Sequence, residues 1–276
     1  MQLGISTLGH ISEIGLNGKY KNLFELHLKA SEESLNFAEN SGINLIELII
    51  ESPVIANHEN KQKFINLVNS YSLEKQVHGP FIDMNLCSLN RYISKASIES
   101  YFEAIKLCDD INSKRITIHP GSADFLVPSI REFNKTQLKS AINQLFNTIT
   151  NENLMICLEN MPQNYHIMTD NKNIEEVLNI IDHKDLFLTF DTSHFYTCDG
   201  DVQHFWLTFH NIIKNIHLVE NYSKLTDTHP PLGTGKVDFK EIFNIISEYN
   251  YNGPLILELS DAKSLNQSIN FINKFL

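Results

Sequence analysis

Eight short apolar, β-branched runs are spread along this chain, and longer segments with helical periodicity separate them. The runs are LGIST at 3–7, NLIELII at 44–50, KQVHG at 75–79, RITIH at 115–119, LMICLE at 154–159, LFLTFD at 186–191, NIHLVE at 215–220 and PLILEL at 254–259. Runs of this length and composition read as strands buried on both faces. The segments between them carry apolar stripes three or four residues apart, as in Phe239, Ile242, Phe243, Ile246 and Tyr249, and again in Leu265, Ile269, Ile272 and Phe275. A strand followed by a helix, eight times over 276 residues, predicts an α/β fold of the single (β/α)8 barrel type. An open doubly wound sheet fits less well, because no Gly-rich first turn is visible. No linker or low-complexity block interrupts the array, so one domain over 1–276 is expected. The irregular stretch 220–238, with Pro230, Pro231, Gly233 and Gly235, reads as a loop inside it.

In such a barrel the C-terminal ends of the strands share one cavity, with layers of apolar side chains filling the interior below. The ionisable residues fall where that geometry makes them informative. His78 ends the third run, His119 the fourth, Glu159 the fifth and Asp191 the sixth, while His217 lies in the seventh and Glu258 near the end of the eighth. Loops add His194, three residues after Asp191, and the pair Asp227 and His229 in LTDTHPPLGTG. If that loop is extended, the two side chains of the pair point the same way.

Each position has a plainer explanation. Thr192 or Ser193 could cap a helix after the sixth strand, His78 and His119 precede Gly and Pro turns, and Glu159-Asn160 could start another. Those explanations must hold independently at six strand ends, whereas one metal cluster accounts for all of them. Five imidazoles among nine donors favour a transition metal over calcium or magnesium, and nine donors exceed the needs of one ion. The remaining histidines, including His10, His58 and His204, read as surface or core residues, with His10 alone placed to reach the barrel mouth.

The motifs HGPFIDMNL, TIHPGS, LEN, DTSH, IHLVEN, DTHPPLGTG and LILEL resemble the xylose isomerase-like TIM-barrel superfamily over about residues 75–260. That superfamily includes endonuclease IV, of AP endonuclease family 2, together with sugar and sugar-phosphate isomerases and epimerases. In its donor set the chain is most similar to endonuclease IV. The resemblance implies three ion sites: His78, His119 and Glu159; Glu159, Asp191, His217 and Glu258; and His194, Asp227 and His229. It implies two or three divalent ions, zinc first, with manganese or iron as alternatives, and a phosphoester hydrolase in which Glu159 or Glu258 orients the attacking water. The single-metal isomerases and epimerases share Glu159, Asp191, His217 and Glu258. For them the implied chemistry is proton transfer on a sugar or sugar phosphate, with Glu159 and Glu258 as the acid-base pair.

The departures concern the substrate. Residues 47–60, ELIIESPVIANHEN, hold no Lys or Arg where endonuclease IV offers an Arg-containing DNA loop; MPQNYHIM replaces a Gly-rich loop, and Phe81 and Pro230 replace a Tyr and a polar residue. The formal net charge of −11 also argues against a broad nucleic-acid face. DNA thus has no support from charge or loops, and a phosphoester or sugar-phosphate substrate is expected. Four scattered cysteines form no C-x-x-C pair, the N-terminus MQLGISTLGH lacks a signal-peptide pattern, and no run reaches membrane-span length, so a cytoplasmic enzyme with reduced thiols and no membrane partner is expected.

Overall fold

In the computed structural model, which describes residues 1–149, 151 and 153–275, all eight expected runs form strands. They are β1 (Gln2–Ser6), β2 (Leu45–Ile49), β3 (Glu74–His78), β4 (Arg115–Ile118), β5 (Met155–Glu159), β6 (Leu186–Asp191), β7 (Ile213–Leu218) and β8 (Pro254–Leu257). Every neighbouring pair is parallel, and β8 returns to β1 with Leu255 opposite Leu3, which closes the barrel in chain order. β2 and β8 are buried at every residue, as strands covered by helices on one side and barrel interior on the other must be.

The helices dock through most of the predicted stripes, although Tyr249 and Phe275 fall beyond the helix ends and Phe275 is exposed. Phe239–Glu248 buries Phe239, Ile242, Phe243, Ile245 and Ile246, and Leu265–Ile272 buries Leu265, Ser268 and Ile272. Several helices begin at an Asn or Asp whose side chain accepts a backbone N–H of the first turn: Asn22, Asn57, Asn90, Asp170, Asp201 and Asp238. Such caps replace hydrogen bonds that a helix start otherwise lacks, and they fix where each loop ends.

One expectation about the interior is corrected. The layer beneath the cavity is polar, built from Glu47, Gln76, Thr117, Thr189 and Asn215, all at most 1% exposed. Its members bond to one another: Gln76 Nε2 donates to Glu47 Oε2 at 2.7 Å, Asn215 Nδ2 donates to Thr117 Oγ1 at 3.1 Å, and the hydroxyls of Thr117 and Thr189 lie 2.8 Å apart, while Glu47 Oε1 and Gln76 Oε1 have no hydrogen-bond partner. The periodicity of a strand identifies inward positions but not which of them are polar partners across the barrel. Among the described residues, no helix is long and apolar enough to cross a membrane, and all four cysteines are free.

Candidate metal centre

Strand register gathers the expected donors at one end of the barrel. Asp191 pairs with His217 across β6 and β7, and Glu159 with Thr189 across β5 and β6. His78, Glu159 and Asp191 are the last residues of their strands, His119 and Glu258 each follow a strand by one residue, and His217 is the penultimate residue of β7. Gly121 lets the chain turn sharply after His119. Its φ is +86°, and an added Cβ would lie 2.3 Å from Asn85 Oδ1, so only glycine brings this loop so close to the one after β3.

Glu159 stands at the centre. Its Oε2 faces His119 Nε2 at 2.8 Å and His78 Nε2 at 3.5 Å, while Oε1 faces His217 Nδ1 at 3.0 Å and His194 Nδ1 at 3.5 Å. Around His217 Nδ1 gather Glu159 Oε1, Glu258 Oε2 at 3.5 Å and Asp191 Oδ2 at 3.9 Å. A second group shares His194, which lies in the helix Thr192–Thr197 rather than in a loop as expected: Asp227 Oδ2 lies 3.1 Å from His194 Nε2 and 2.8 Å from His229 Nε2. A bridge joins the groups, since His229 Nδ1 lies 3.4 Å from Glu258 Oε1. All nine donors named from the sequence thus share one basin.

Hydrogen bonds fix which ring nitrogen faces that basin. Nδ1–H of His78 donates to the Gly79 carbonyl at 2.9 Å, and Nδ1–H of His194 donates to the Asn160 carbonyl at 2.9 Å, which leaves Nε2 of each as the free lone pair. His217 is turned the other way: Nε2 faces Glu47 Oε1 at 3.0 Å and Nδ1 enters the basin.

Local readings are refined in four places. The helix after β6, Thr192–Thr197, is capped by Asp191 itself, whose Oδ1 accepts from His194 N at 2.7 Å; Thr192 and Ser193 are its first residues and bond Val219 O and Asp227 Oδ1 instead. His229 has a φ of +48°, so the Asp227 and His229 side chains meet through a left-handed turn rather than an extended segment. His10 does not reach the mouth; it is buried with Nδ1 2.8 Å from Ser34 Oγ. His166, by contrast, lines the cavity from the loop after β5.

Glu47 was visible in the sequence only as part of a stretch without basic residues. The one signal that could have marked it is a carboxylate in the middle of an apolar run, a position that burial allows only with a partner.

The cavity above the basin has a volume of about 670 Å³ and is walled by Phe81, Met161, Pro162, Tyr165 and Leu225 among others, with Lys224 the single Lys or Arg of its lining. Phe81 packs its ring against His78 and His119, with centroids 5.2 and 5.6 Å away.

Burial and charge act against each other here. Burial works to lower His78, yet Glu159, Glu47 and Glu258 hold it up at about 9. His229 is likewise held at about 9, with Asp227 outweighing burial. Burial, reinforced by Glu159 and Asp227, pushes Asp191 up to about 7 against the pull of His194 and His229. Burial opposes ionisation of Glu159 and Asp227 as well, but the surrounding imidazoles keep both well below the usual carboxylate range. Without an ion, the basin is held together by shared protons, and ion binding must displace them.

The residues present fit divalent metal ions. Asp191 Oδ2, Glu258 Oε2 and His229 Nδ1 are buried without a hydrogen-bond partner, and the two carboxylate oxygens face the same point as His217 Nδ1. Unpartnered buried oxygens are costly, and a cation between them removes that cost. Four triads in the basin have donor atoms within 4.8 Å of one another: His78, Glu159 and His217; His194, Asp227 and His229; Glu47, His217 and Glu258; and Glu159, Asp191 and His194.

Comparison with known proteins agrees with this geometry. An uncharacterized protein of Methanocaldococcus jannaschii is 25% identical over 234 residues, 83% of this chain and 79% of its own length. A probable endonuclease 4 of Aquifex aeolicus is 25% identical over 181 residues, 62% of this chain and 63% of its own. The crystal structure of a D-tagatose 3-epimerase-like protein superposes with a TM-score of 0.81 at 23% identity, over 100% of this chain and 97% of that one, a likeness of fold. The family described as xylose isomerase-like TIM barrel matches residues 35–275. With a closed barrel and a basin of donors at its strand ends, the chain belongs to the xylose isomerase-like TIM barrel family.

Proposed function

We propose that this protein is a phosphoester hydrolase of the endonuclease IV type, working with two or three divalent ions, zinc first and manganese or iron as alternatives. The observation that carries the reading is the second group, His194 with Asp227 and His229, whose donor atoms converge within 4.8 Å beside the strand-borne group. Proton transfer on a sugar needs one ion; a second donor group next to it suits a substrate whose several oxygens all carry charge. When bound, such ions supply Lewis acidity, which activates water at neutral pH and offsets charge on a phosphoryl group.

The chain's own residues contribute the rest. Glu159 offers an oxygen to each side of the basin and ties the strand donors together. Glu258 stands between the two groups, 3.4 Å from His229 and 3.5 Å from His217, where it can orient water and accept its proton. Lys224, which lines the cavity and pairs with Asp199, can exchange that partner for a phosphate oxygen, and Phe81 gives the cavity an apolar wall against the ester's organic group. With one Lys and no Arg in the lining, the cavity suits a small phosphoester better than a duplex, which is held through many phosphate contacts.

A second reading, a sugar or sugar-phosphate epimerase with Glu159 and Glu258 as acid and base, is favoured by the likeness to a D-tagatose 3-epimerase-like structure and by a cavity of about 670 Å³ over the basin. One experiment separates the two. Protein purified without chelators is analysed for metal per chain, then assayed on aryl phosphodiesters, on abasic duplex DNA and on ketoses. More than one ion per chain with phosphodiester cleavage is the expected result. A single ion with ketose interconversion would sink the hydrolase reading.

A further inference from the structure

Glu47 lies in the middle of β2 with none of its surface exposed, in the polar layer beneath the basin. Oε2 accepts from Gln76 Nε2 at 2.7 Å and from Asn215 Nδ2 at 3.1 Å, and the carboxylate straddles His217 Nε2, which lies 3.0 Å from Oε1 and 3.2 Å from Oε2. Gln76 and Asn215 would be served equally well by the single oxygen of an amide. Oε1 is otherwise unpartnered and faces the His217 ring, and an uncompensated charge so deep in a barrel is expensive.

We propose that Glu47 is a positioning residue for the metal centre: by accepting the Nε2 proton of His217 it holds that imidazole in the tautomer whose bare Nδ1 faces Glu159, Asp191 and Glu258. The geometry gives the alternative a definite form. With glutamine at 47, one oxygen must serve Gln76 and Asn215, and the amide NH2 then meets His217 Nε2. His217 answers by moving its proton to Nδ1, the atom that has to offer a lone pair. His78 and His194 are fixed by backbone carbonyls, at Gly79 and Asn160, whereas His217 depends on a replaceable side chain. Partners of this kind typically change metal affinity 10–100-fold, a range taken from other metal sites.

The inference rests on the metal centre proposed above but not on its substrate, so the test uses metal alone. Cobalt(II) is titrated into the apoprotein against a competing chelator and followed by its absorption spectrum. In Glu47→Gln, one ion equivalent should weaken by about 10–100-fold with an altered spectrum, while the equivalent at His194, Asp227 and His229 keeps its affinity. In a His217→Ala background the same substitution should add nothing, because Glu47 acts through that ring. Unchanged affinity in the single variant, or a fully additive loss in the double one, would overturn the proposal. Should Glu47→Gln fail to fold, 15N spectra of imidazole-labelled wild-type protein loaded with zinc decide: a proton on His217 Nε2 is expected, and a proton on Nδ1 refutes the idea. Wild-type protein that takes up no cobalt would instead overturn the metal centre itself, a result distinguishable from the failure of Glu47.

Discussion

His78 and His27 are both buried, at 3% and 6% exposure, yet they sit on opposite sides of the ordinary imidazole range. His78 is held at about 9 because three carboxylates from other strands outweigh its burial. His27, in the helix Leu23–Asn40, meets no such group; its Nδ1 lacks a hydrogen-bond partner and burial alone drives it down to about 4. Residue type and depth are therefore not what makes a histidine chemical here. The difference is made by which other strands bring an oxygen to it, and in this barrel they all bring it to one end.

The largest effect should come from removing the carboxylate that both sides of the basin share. Glu159→Gln keeps shape and some hydrogen bonding but loses the charge that faces four imidazoles. We expect loss of detectable turnover and weaker binding at two ion equivalents, with an intact fold, measured by assay, metal analysis and circular dichroism. Wild-type turnover would remove Glu159 from the chemistry and make the basin no more functional than the His27 pocket.

A smaller and more selective loss is expected in the second group. Asp227→Asn removes the charge between His194 and His229 while leaving the strand donors in place. One ion equivalent should vanish, and phosphodiester cleavage should fall by roughly two to three orders of magnitude, as when one group stabilising transition-state charge is lost. An unchanged metal count would show that these residues hold each other and nothing else.

The basin should also reverse its pH behaviour with its contents. In chelator, His78 and His229 have folded values of about 9, above their unfolded value of about 6.5. The stabilisation from their paired protons is then fully present below 6.5 and fades as pH rises through 9, by a few kcal/mol. With zinc present the same imidazoles must be neutral, so stability should rise with pH in that window. Denaturant titrations at pH 6.5 and 9, with and without zinc, check the crossing of the two trends. Parallel trends would mean that the ion does not bind through these histidines.

What the sequence disclosed follows from what each signal measures. Strand runs such as LFLTFD and helix stripes such as Phe239, Ile242 and Phe243 depend on neighbours along the chain, and they appear as expected. The convergence of His78, His119, Glu159, Asp191, His217 and Glu258 was legible because strand ends converge in any such barrel. Glu47 was not, since its meaning comes from Gln76, Asn215 and His217, which only register brings within 3.2 Å. The left-handed turn at His229 and the capping role of Asp191 were hidden for a related reason: a short polar segment has several local solutions, and tertiary contacts choose among them.

The smallest effect belongs to the other half of the comparison. His27 binds its proton at about 4 in the folded chain but near 6.5 when unfolded, so between those values the unfolded state holds more protons and stability must fall as pH drops. The group contributes nothing above 6.5, and by pH 4 the accumulated loss is about 3 kcal/mol at most. His27→Leu has no proton to gain. Relative to wild type, in chelator so that the basin is the same in both, the variant should therefore lose about 3 kcal/mol less between pH 6.5 and 4 and differ little in slope above that window. The basin's own carboxylates titrate in both proteins, so they cancel in the difference. Parallel stability curves for the two chains would mean that His27 has a partner for its proton after all, and the contrast between a histidine that is merely buried and one that is buried among carboxylates would fail at this position.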